Sequence, residues 1–295
     1  MVWFIFAGLT ALFESLTDVV SKKNLKFVDE YKVSFYIRFI AFLFLIPVII
    51  LIGIPKIGPD FWLALLIGGS LNVVTTVLYM KALKYSDLSI SVPMLTFTPL
   101  FLLITSPLIL GEFPSFLGLI GILMIIVGSY ILNIRQWKEG YLAPFKALLK
   151  EKGPKLMLMV AFIWSITSNF DKIGLLNSSP IFWIVAINLF IAVFTFPLML
   201  RSTRDKIEKL KVNNKELDNR NLILMGLLST FTSIFQMYAI SLTLVAYVIA
   251  IKRTSAVLSV FWGRLIFNEK GVKERLIGAS VMVLGVFIIV LSQVY

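Results

Sequence analysis

The chain has no cysteine and no histidine among its 295 residues, and only 15% of them are charged. Without cysteine there is no disulfide, no thiol nucleophile and no thiolate metal site. Without histidine there is no imidazole proton relay and no Cys/His zinc centre. Spaced carboxylate metal motifs and phosphate-cradling glycine loops are missing as well, so no metal, no cofactor and no enzymatic activity are expected. Acid is scarcer than base: 16 Asp and Glu stand against 28 Lys and Arg, for a formal charge of +12. Such an excess often signals nucleic acid. Here the basic residues sit in short segments between apolar runs, so the expected partner is a membrane surface and no nucleic acid is expected.

What the chain has in abundance is apolar surface. Hydrophobic residues make up 59% of it, whereas a soluble domain is nearer half apolar and a quarter charged. A single core of this size cannot hide that much, because burial is limited by how surface scales with volume. Lipid is the solvent that tolerates the rest. A hydrocarbon layer of roughly 30 Å takes about 20 helical residues to cross. Windows of that length predict spans at Val2–Val20, Val33–Ile52, Phe61–Leu83, Ile90–Leu110 and Phe116–Ile134. A second set follows at Leu156–Ile173, Ile181–Leu200, Leu222–Leu242, Ala246–Phe267 and Leu276–Val294. The expected class is therefore an all-α integral membrane protein with ten transmembrane helices, multi-pass in the cytoplasmic (cell) membrane. The first run is not expected to be a cleaved signal, since no basic segment precedes it and it carries Glu14 and Asp18.

Ten spans put both termini on one side. The connections on the other side hold 22 of the 28 basic residues, and the terminal side holds only Lys56 and Lys172. The positive-inside rule places the Lys-rich connections in the cytoplasm and both termini outside. The connection Gln136–Lys155 mixes Trp137, Tyr141, Leu142 and Phe145 with lysines and reads as an interfacial helix. Ser202–Asn221 is mostly charged and polar and reads as a solvated loop.

The chain also repeats itself. A shift of 150 pairs Ala11 with Ala161, Ser15 with Ser165, Thr17 with Thr167, Lys22 with Lys172 and Pro47 with Pro197, and a shift of 159 pairs Tyr79 with Tyr238. A shift of 157 lays Glu112-x6-Leu-Ile-Gly121-x6-Gly128 over Glu269-x6-Leu-Ile-Gly278-x6-Gly285. Five spans per half is an odd number, so the second half enters the membrane from the opposite side. The result is two inverted five-helix repeats, residues 1–134 and 156–295, joined by 135–155. Inverted repeats give alternating-access carriers two exchangeable conformations around a central site.

Five-plus-five spans resemble the drug/metabolite transporter superfamily, EamA-type. So do the stretch Tyr79-Met-Lys-Ala-Leu-Lys-Tyr-Ser86, the Pro-containing fourth span and the Gly111-Glu112 step before the fifth. The resemblance covers essentially the whole chain. It implies a transporter of the ten-helix fold with both termini cytoplasmic, opposite to the charge count, and leaves the cargo open among amino acids, sugars, nucleotide sugars, phosphorylated sugars and amines. Lys252-Arg253 in span nine is similar to the Lys-Arg pair with which triose-phosphate-type translocators hold phosphate. Span six, however, offers Trp164, Ser165, Thr167, Ser168 and Asn169 and no third base.

Ionisable residues inside a span cost several kcal/mol at the centre, so each is a candidate functional group. Lys252 and Arg253 lie about seven residues into span nine, roughly 10 Å from the membrane surface. They are the expected anion site, or else partners of an acid within the bundle. Glu14 and Asp18 share one face of span one at i and i+4. Glu14 is counter-ion to Lys252 or Arg253, ligand for a cationic group, or proton carrier; Asp18 is its coupling neighbour or a hydrated group near the span end. Arg38 and Arg264 are expected to snorkel as anchors, and Glu112 and Glu269 to sit at the N-termini of spans five and ten. Trp164, Asn188, Gln236, Tyr79 and Asn72 complete the expected substrate-binding set. Pro93, Pro99 and Pro107 are expected to kink span four, a candidate hinge, whereas span nine has no proline and is expected to be stiffer. The expected function is secondary active transport of a small polar organic solute with an anionic group: an amino acid, organic anion or phosphorylated metabolite. The coupling partner would be a proton or counter-solute, and the protein a monomer or homodimer. The competing class is a non-transporting scaffold, or a flippase-type subunit acting on lipid-linked headgroups.

Overall fold

The structure is a computed structural model that describes residues 2–25, 28–85, 91–133, 152–209, 219–258, 262 and 272–293. The described residues form ten α-helices and no strand: α1 (Val2–Asn24), α2 (Glu30–Ile52), α3 (Phe61–Tyr85), α4 (Phe97–Leu110), α5 (Phe116–Asn133), α6 (Lys152–Leu176), α7 (Pro180–Lys209), α8 (Asn219–Leu242), α9 (Val245–Lys252) and α10 (Val272–Leu291). A 3₁₀ stretch, Val92–Thr96, leads into α4. Helices α1, α2, α3, α6, α7 and α8 are long and apolar enough to cross a membrane, and α4, α5 and α10 contain shorter apolar stretches.

Several boundaries differ from expectation, two of them beside the long connections. Helix α7 runs on to Lys209 where a loop is expected from Ser202; the segment beyond Leu200 is rich in Arg, Lys and Glu, which are good helix formers even when too polar for lipid. Helix α6 begins at Lys152 rather than Leu156. Most of the expected interfacial segment, together with Arg264 and Glu269, lies outside the described residues.

The packing obeys the inverted repeat. If the first five helices exchange with the last five, the α1–α8 contact becomes α6–α3, and the α2–α7, α4–α9 and α5–α10 contacts each map onto themselves; all of these pairs are in contact. The α5–α10 contact is close enough to require glycine. A Cβ on Gly121 would lie 2.7 Å from the Gly285 carbonyl oxygen, and one on Gly128 would lie 2.7 Å from the Gly278 carbonyl oxygen. At the shift of 157, Gly121 corresponds to Gly278 and Gly128 to Gly285, so these are one contact seen from the two repeats. Small residues let backbones approach where lipid offers no hydrophobic drive for helix association. The matched serines repeat their bonding as well: Ser15 donates to the Leu12 carbonyl at 2.7 Å and Ser165 to the Phe162 carbonyl at 2.7 Å.

The fourth span of each repeat departs from regular α-helix at equivalent places. In the first half the 3₁₀ stretch ends at Thr96. In the second, α9 ends at Lys252 and the chain turns at Arg253–Thr254 before becoming helical again over 255–258. Thr96 and Arg253 are 157 residues apart. The prolines are therefore not the cause common to both, and the expectation of a stiff ninth span does not hold. Around the second break the Thr254 N–H bonds the Ile251 carbonyl at 2.9 Å and the Ala256 N–H bonds the Arg253 carbonyl at 3.1 Å. The Thr254 hydroxyl also donates to the Ile251 carbonyl at 2.7 Å. A hydroxyl that competes for a backbone acceptor, together with i−3 bonding, loosens the helical ladder without any proline. Every residue of α9 is buried, so this short helix is the apolar wedge that presents its C-terminal end to the middle of the bundle.

Replacing Gly121 or Gly128 by Val is expected to force α5 and α10 apart and to cost about 1–3 kcal/mol. Gly8→Ala, where an added Cβ meets nothing within 4 Å, should leave the unfolding midpoint in detergent unchanged. Thermal unfolding of the three variants checks this.

Candidate functional site

Between the two halves lies a cavity of about 120 Å³. It is small beside the roughly 300–1,000 Å³ of drug-sized pockets. All nine candidate residues named from the sequence line it: Glu14, Asp18, Asn72, Tyr79, Trp164, Asn188, Gln236, Lys252 and Arg253. They arrive on α1, α3, α6, α7, α8 and the end of α9, so neither repeat builds the cavity alone.

Lys252 Nζ lies 3.1 Å from Glu14 Oε1 and donates to Gln236 Oε1 at 2.9 Å. Arg253, at the turn after α9, donates from Nη2 to Thr98 Oγ1 at 3.1 Å, and its buried Nε has no hydrogen-bond partner. Both cations stand 5.4 Å from the centre of the Trp164 ring, a distance at which the ring face attracts a cation. Trp164 in turn lies beside Tyr79, with ring centroids 5.2 Å apart. The Tyr79 hydroxyl donates to Asp18. Asn188 accepts from Arg38 at 3.5 Å, and the Asn72 side-chain oxygen accepts from Thr75 at 3.5 Å.

Several expectations need correction. Arg38 does not snorkel to a surface: it lines the cavity, donating from Nη1 to Asn188 and from Nη2 to Thr76 Oγ1 at 3.2 Å, with its Nε buried and unpartnered. It stands eight residues into α2, about 12 Å along the axis, too deep for its stem to lift the charge out. A third basic side chain thus does face the cavity, from span two and not span six. Asp18 is not hydrated at a span end, because α1 continues helically to Asn24 and leaves it only 3% exposed. Asp171 was missed altogether. It lines the cavity and accepts from Trp183 Nε1 at 2.9 Å. Its signal was an acid inside the end of span six, masked by the adjacent Lys172; because α6 continues to Leu176, Asp171 lies more than a turn from the helix end. Many of the Ser and Thr hydroxyls have the bland role: Thr230, Thr232 and Ser233 donate to carbonyls four residues back.

A second polar cluster lies toward the end of the bundle that carries the termini. Helix α4 ends on Gly111 in the left-handed region (φ 68°), with Gly111 N–H on the Pro107 carbonyl and Glu112 N–H on the Ser106 carbonyl. Glycine takes that conformation without strain and ends the helix abruptly. The turn delivers Glu112, which is ion-paired with Lys172 of α6 and accepts from the Val245 N–H at 3.2 Å. Lys172 also donates to the Thr243 carbonyl at 2.8 Å. Glu112 therefore does not serve the start of its own following helix, as its place in the sequence suggests, since α5 begins only at Phe116. It caps α9, whose other end carries Lys252. On the opposite face Lys22, the repeat counterpart of Lys172, donates to the Leu83 carbonyl near the end of α3.

The sequence profile of the EamA-like transporter family matches residues 1–134 and 151–291. The chain belongs to the EamA-like transporter family. It is accordingly a multi-pass membrane transporter of the drug/metabolite type, built from the family's two repeats, and members of this family are transporters rather than enzymes. A crystal structure of another protein superposes on this EamA-like chain with a TM-score of 0.72 at 14% identity, over 99% of this chain and 97% of the other. That likeness concerns the fold alone. No curated protein matches the chain significantly in sequence.

The Glu112–Lys172 side chains are only 17% and 11% exposed. Removing one partner leaves the other charge uncompensated, which costs about 3–5 kcal/mol at buried sites. Glu112→Gln and Lys172→Met are each expected to lower the unfolding midpoint, and the double variant to lose less than the two single losses together, as a double-mutant thermal-unfolding cycle would measure.

Proposed function

We propose that this protein is a secondary active carrier for a small polar organic solute bearing an anionic group, working by alternating access in the cytoplasmic membrane. The observation that carries the reading is Lys252-Arg253 at the break after α9, facing the cavity, where among the described residues the Arg253 side chain hydrogen-bonds only the neutral Thr98 and its Nε is unpartnered. A guanidinium with an unsatisfied donor matches a carboxylate or phosphate, and Lys beside it acts as a compact charge.

Glu14 supplies the counter-charge. An anion that approaches Lys252 competes with Glu14 for the same ammonium group. Once displaced, Glu14 would be a buried carboxylate one turn from Asp18, and a proton relieves both the burial and the repulsion. Solute binding and proton uptake would then be coupled at one pair of residues. Alternating access is supported by the self-mapping contacts of the repeats, which permit the same packing to be exchanged between the two faces. The Glu112–Lys172 cluster would hold the terminal face in the arrangement seen.

The test is a thermal-shift screen over amino acids, dicarboxylates and sugar phosphates, followed by uptake of the best stabiliser into proteoliposomes. Arg253→Ala is expected to lower transport by about 30-fold or more, and Lys252→Ala to lower it and to weaken its pH dependence; truncating one partner of a buried charge contact costs about 2–5 kcal/mol. Wild-type transport by both variants would defeat the anion site. An absence of transport for every stabilising solute would favour a scaffold.

A further inference from the structure

Among the described residues, six side chains of opposed formal charge line the cavity: Glu14, Asp18 and Asp171 against Arg38, Lys252 and Arg253. Their formal charges cancel. Only one ion pair joins any two of them within 4 Å, Glu14 with Lys252. The other four bond neutral partners: Asp18 with Tyr79, Asp171 with Trp183, Arg38 with Asn188 and Thr76, and Arg253 with Thr98. Asp18, Asp171 and Arg253 are 3%, 8% and 3% exposed. A buried charge without a counter-charge is costly, and such groups are normally paired. Here charges of both signs are held apart in one cavity.

From this we infer that the site takes a small zwitterion, with an ionised acid and an ionised amine a few ångströms apart, and not a net anion. The inference rests on the transport reading above and narrows its substrate. A solute of one sign completes charges of only one sign in the cavity and, unless a proton or counter-ion enters with it, leaves it with a net charge. A zwitterion completes one of each and leaves it neutral. Arg253, which lines the cavity and keeps one guanidinium donor unsatisfied, receives the acid group. Asp18 receives the amine on the carboxylate oxygen not bound by Tyr79. These two poles adjoin each other through one ring pair, since Trp164 lies under Arg253, Tyr79 bonds Asp18, and the two rings are neighbours. Arg38 and Asp171 form a second opposed pair, and Asn188 and Trp183 already hold one edge of each. The cavity volume of about 120 Å³ suits such a small solute.

The test uses the full chain in detergent and in proteoliposomes, with three forms of each probe: the free amino acids, their N-acetyl derivatives (acid only) and their methyl esters (amine only). At least one free amino acid should raise the unfolding midpoint, with a half-saturating concentration at least about tenfold below those of both blocked forms. The same free form should compete for uptake. Asp18→Asn should erase the advantage of the free form over its N-acetyl derivative. The comparison of derivatives needs no variant, so it stands even if Asp18→Asn fails to fold. N-acetyl derivatives, dicarboxylates or sugar phosphates that bind as tightly as or tighter than every free amino acid would overturn the zwitterion inference, leaving the anion site intact if Arg253→Ala abolishes their binding. A response to none of the probes, acid-only and phosphate compounds included, would overturn both.

Discussion

Six formally charged side chains among the described residues lie in the middle of a membrane-spanning bundle and set the terms for everything around them. Each costs several kcal/mol in hydrocarbon, and that cost is tolerable only where the protein encloses a polar interior. Neighbouring side chains answer the requirement locally: Tyr79, Trp183, Thr98, Thr76, Asn188 and Gln236 each share a hydrogen bond with a charged side chain. The aromatic pair Tyr79–Trp164 adds a polarisable wall beside the two cations of α9. The helix breaks belong to the same logic. Irregular backbone at membrane depth survives only where it faces protein or a cavity, and the turn at Arg253–Thr254 lies beside a cavity-lining arginine.

The architecture was legible because its signals are long and redundant. Ten apolar runs need only counting, and the Glu112 and Glu269 motifs carry enough matched residues to reveal the repeat. The matching glycines turned out to be more than a marker, since Gly121 and Gly128 meet Gly285 and Gly278 at backbone contact distance. The candidate site was legible for a different reason: an apolar span makes each polar residue conspicuous, so Glu14, Lys252 and Arg253 stood out without any structure.

What stayed hidden was depth and direction. Arg38 and Asp18 lie near the ends of their apolar windows, and hydropathy cannot tell a group that reaches water from one that a continuing helix buries. Asp171 was concealed by Lys172 beside it, yet the two side chains diverge by about 100° around α6: one faces the cavity, the other Glu112. Glu112 shows the same limit. Its position before span five suggested a local role, but the left-handed turn at Gly111 sends it to the N-terminus of α9, a partner 133 residues away. No pattern of nearby residues encodes such a meeting.

Backbone symmetry and side-chain asymmetry then divide the work. At the shifts that align the repeats, Glu14 corresponds to Trp164, Asp18 to Ser168, Arg38 to Asn188, Asp171 to Ser21, Lys252 to Leu95 and Arg253 to Thr96. Every charged residue of the cavity has a neutral counterpart. Had the symmetry extended to the side chains, two arginines would meet where Arg38 now bonds Asn188, its own repeat partner, and like charges at that distance repel in a low dielectric. In the alternating-access reading proposed above, a symmetric backbone would supply two exchangeable packings of the same helices. An asymmetric set of charges would then leave both packings with one site and not two, so that a solute bound from one face would be held by the same residues when the other face opened.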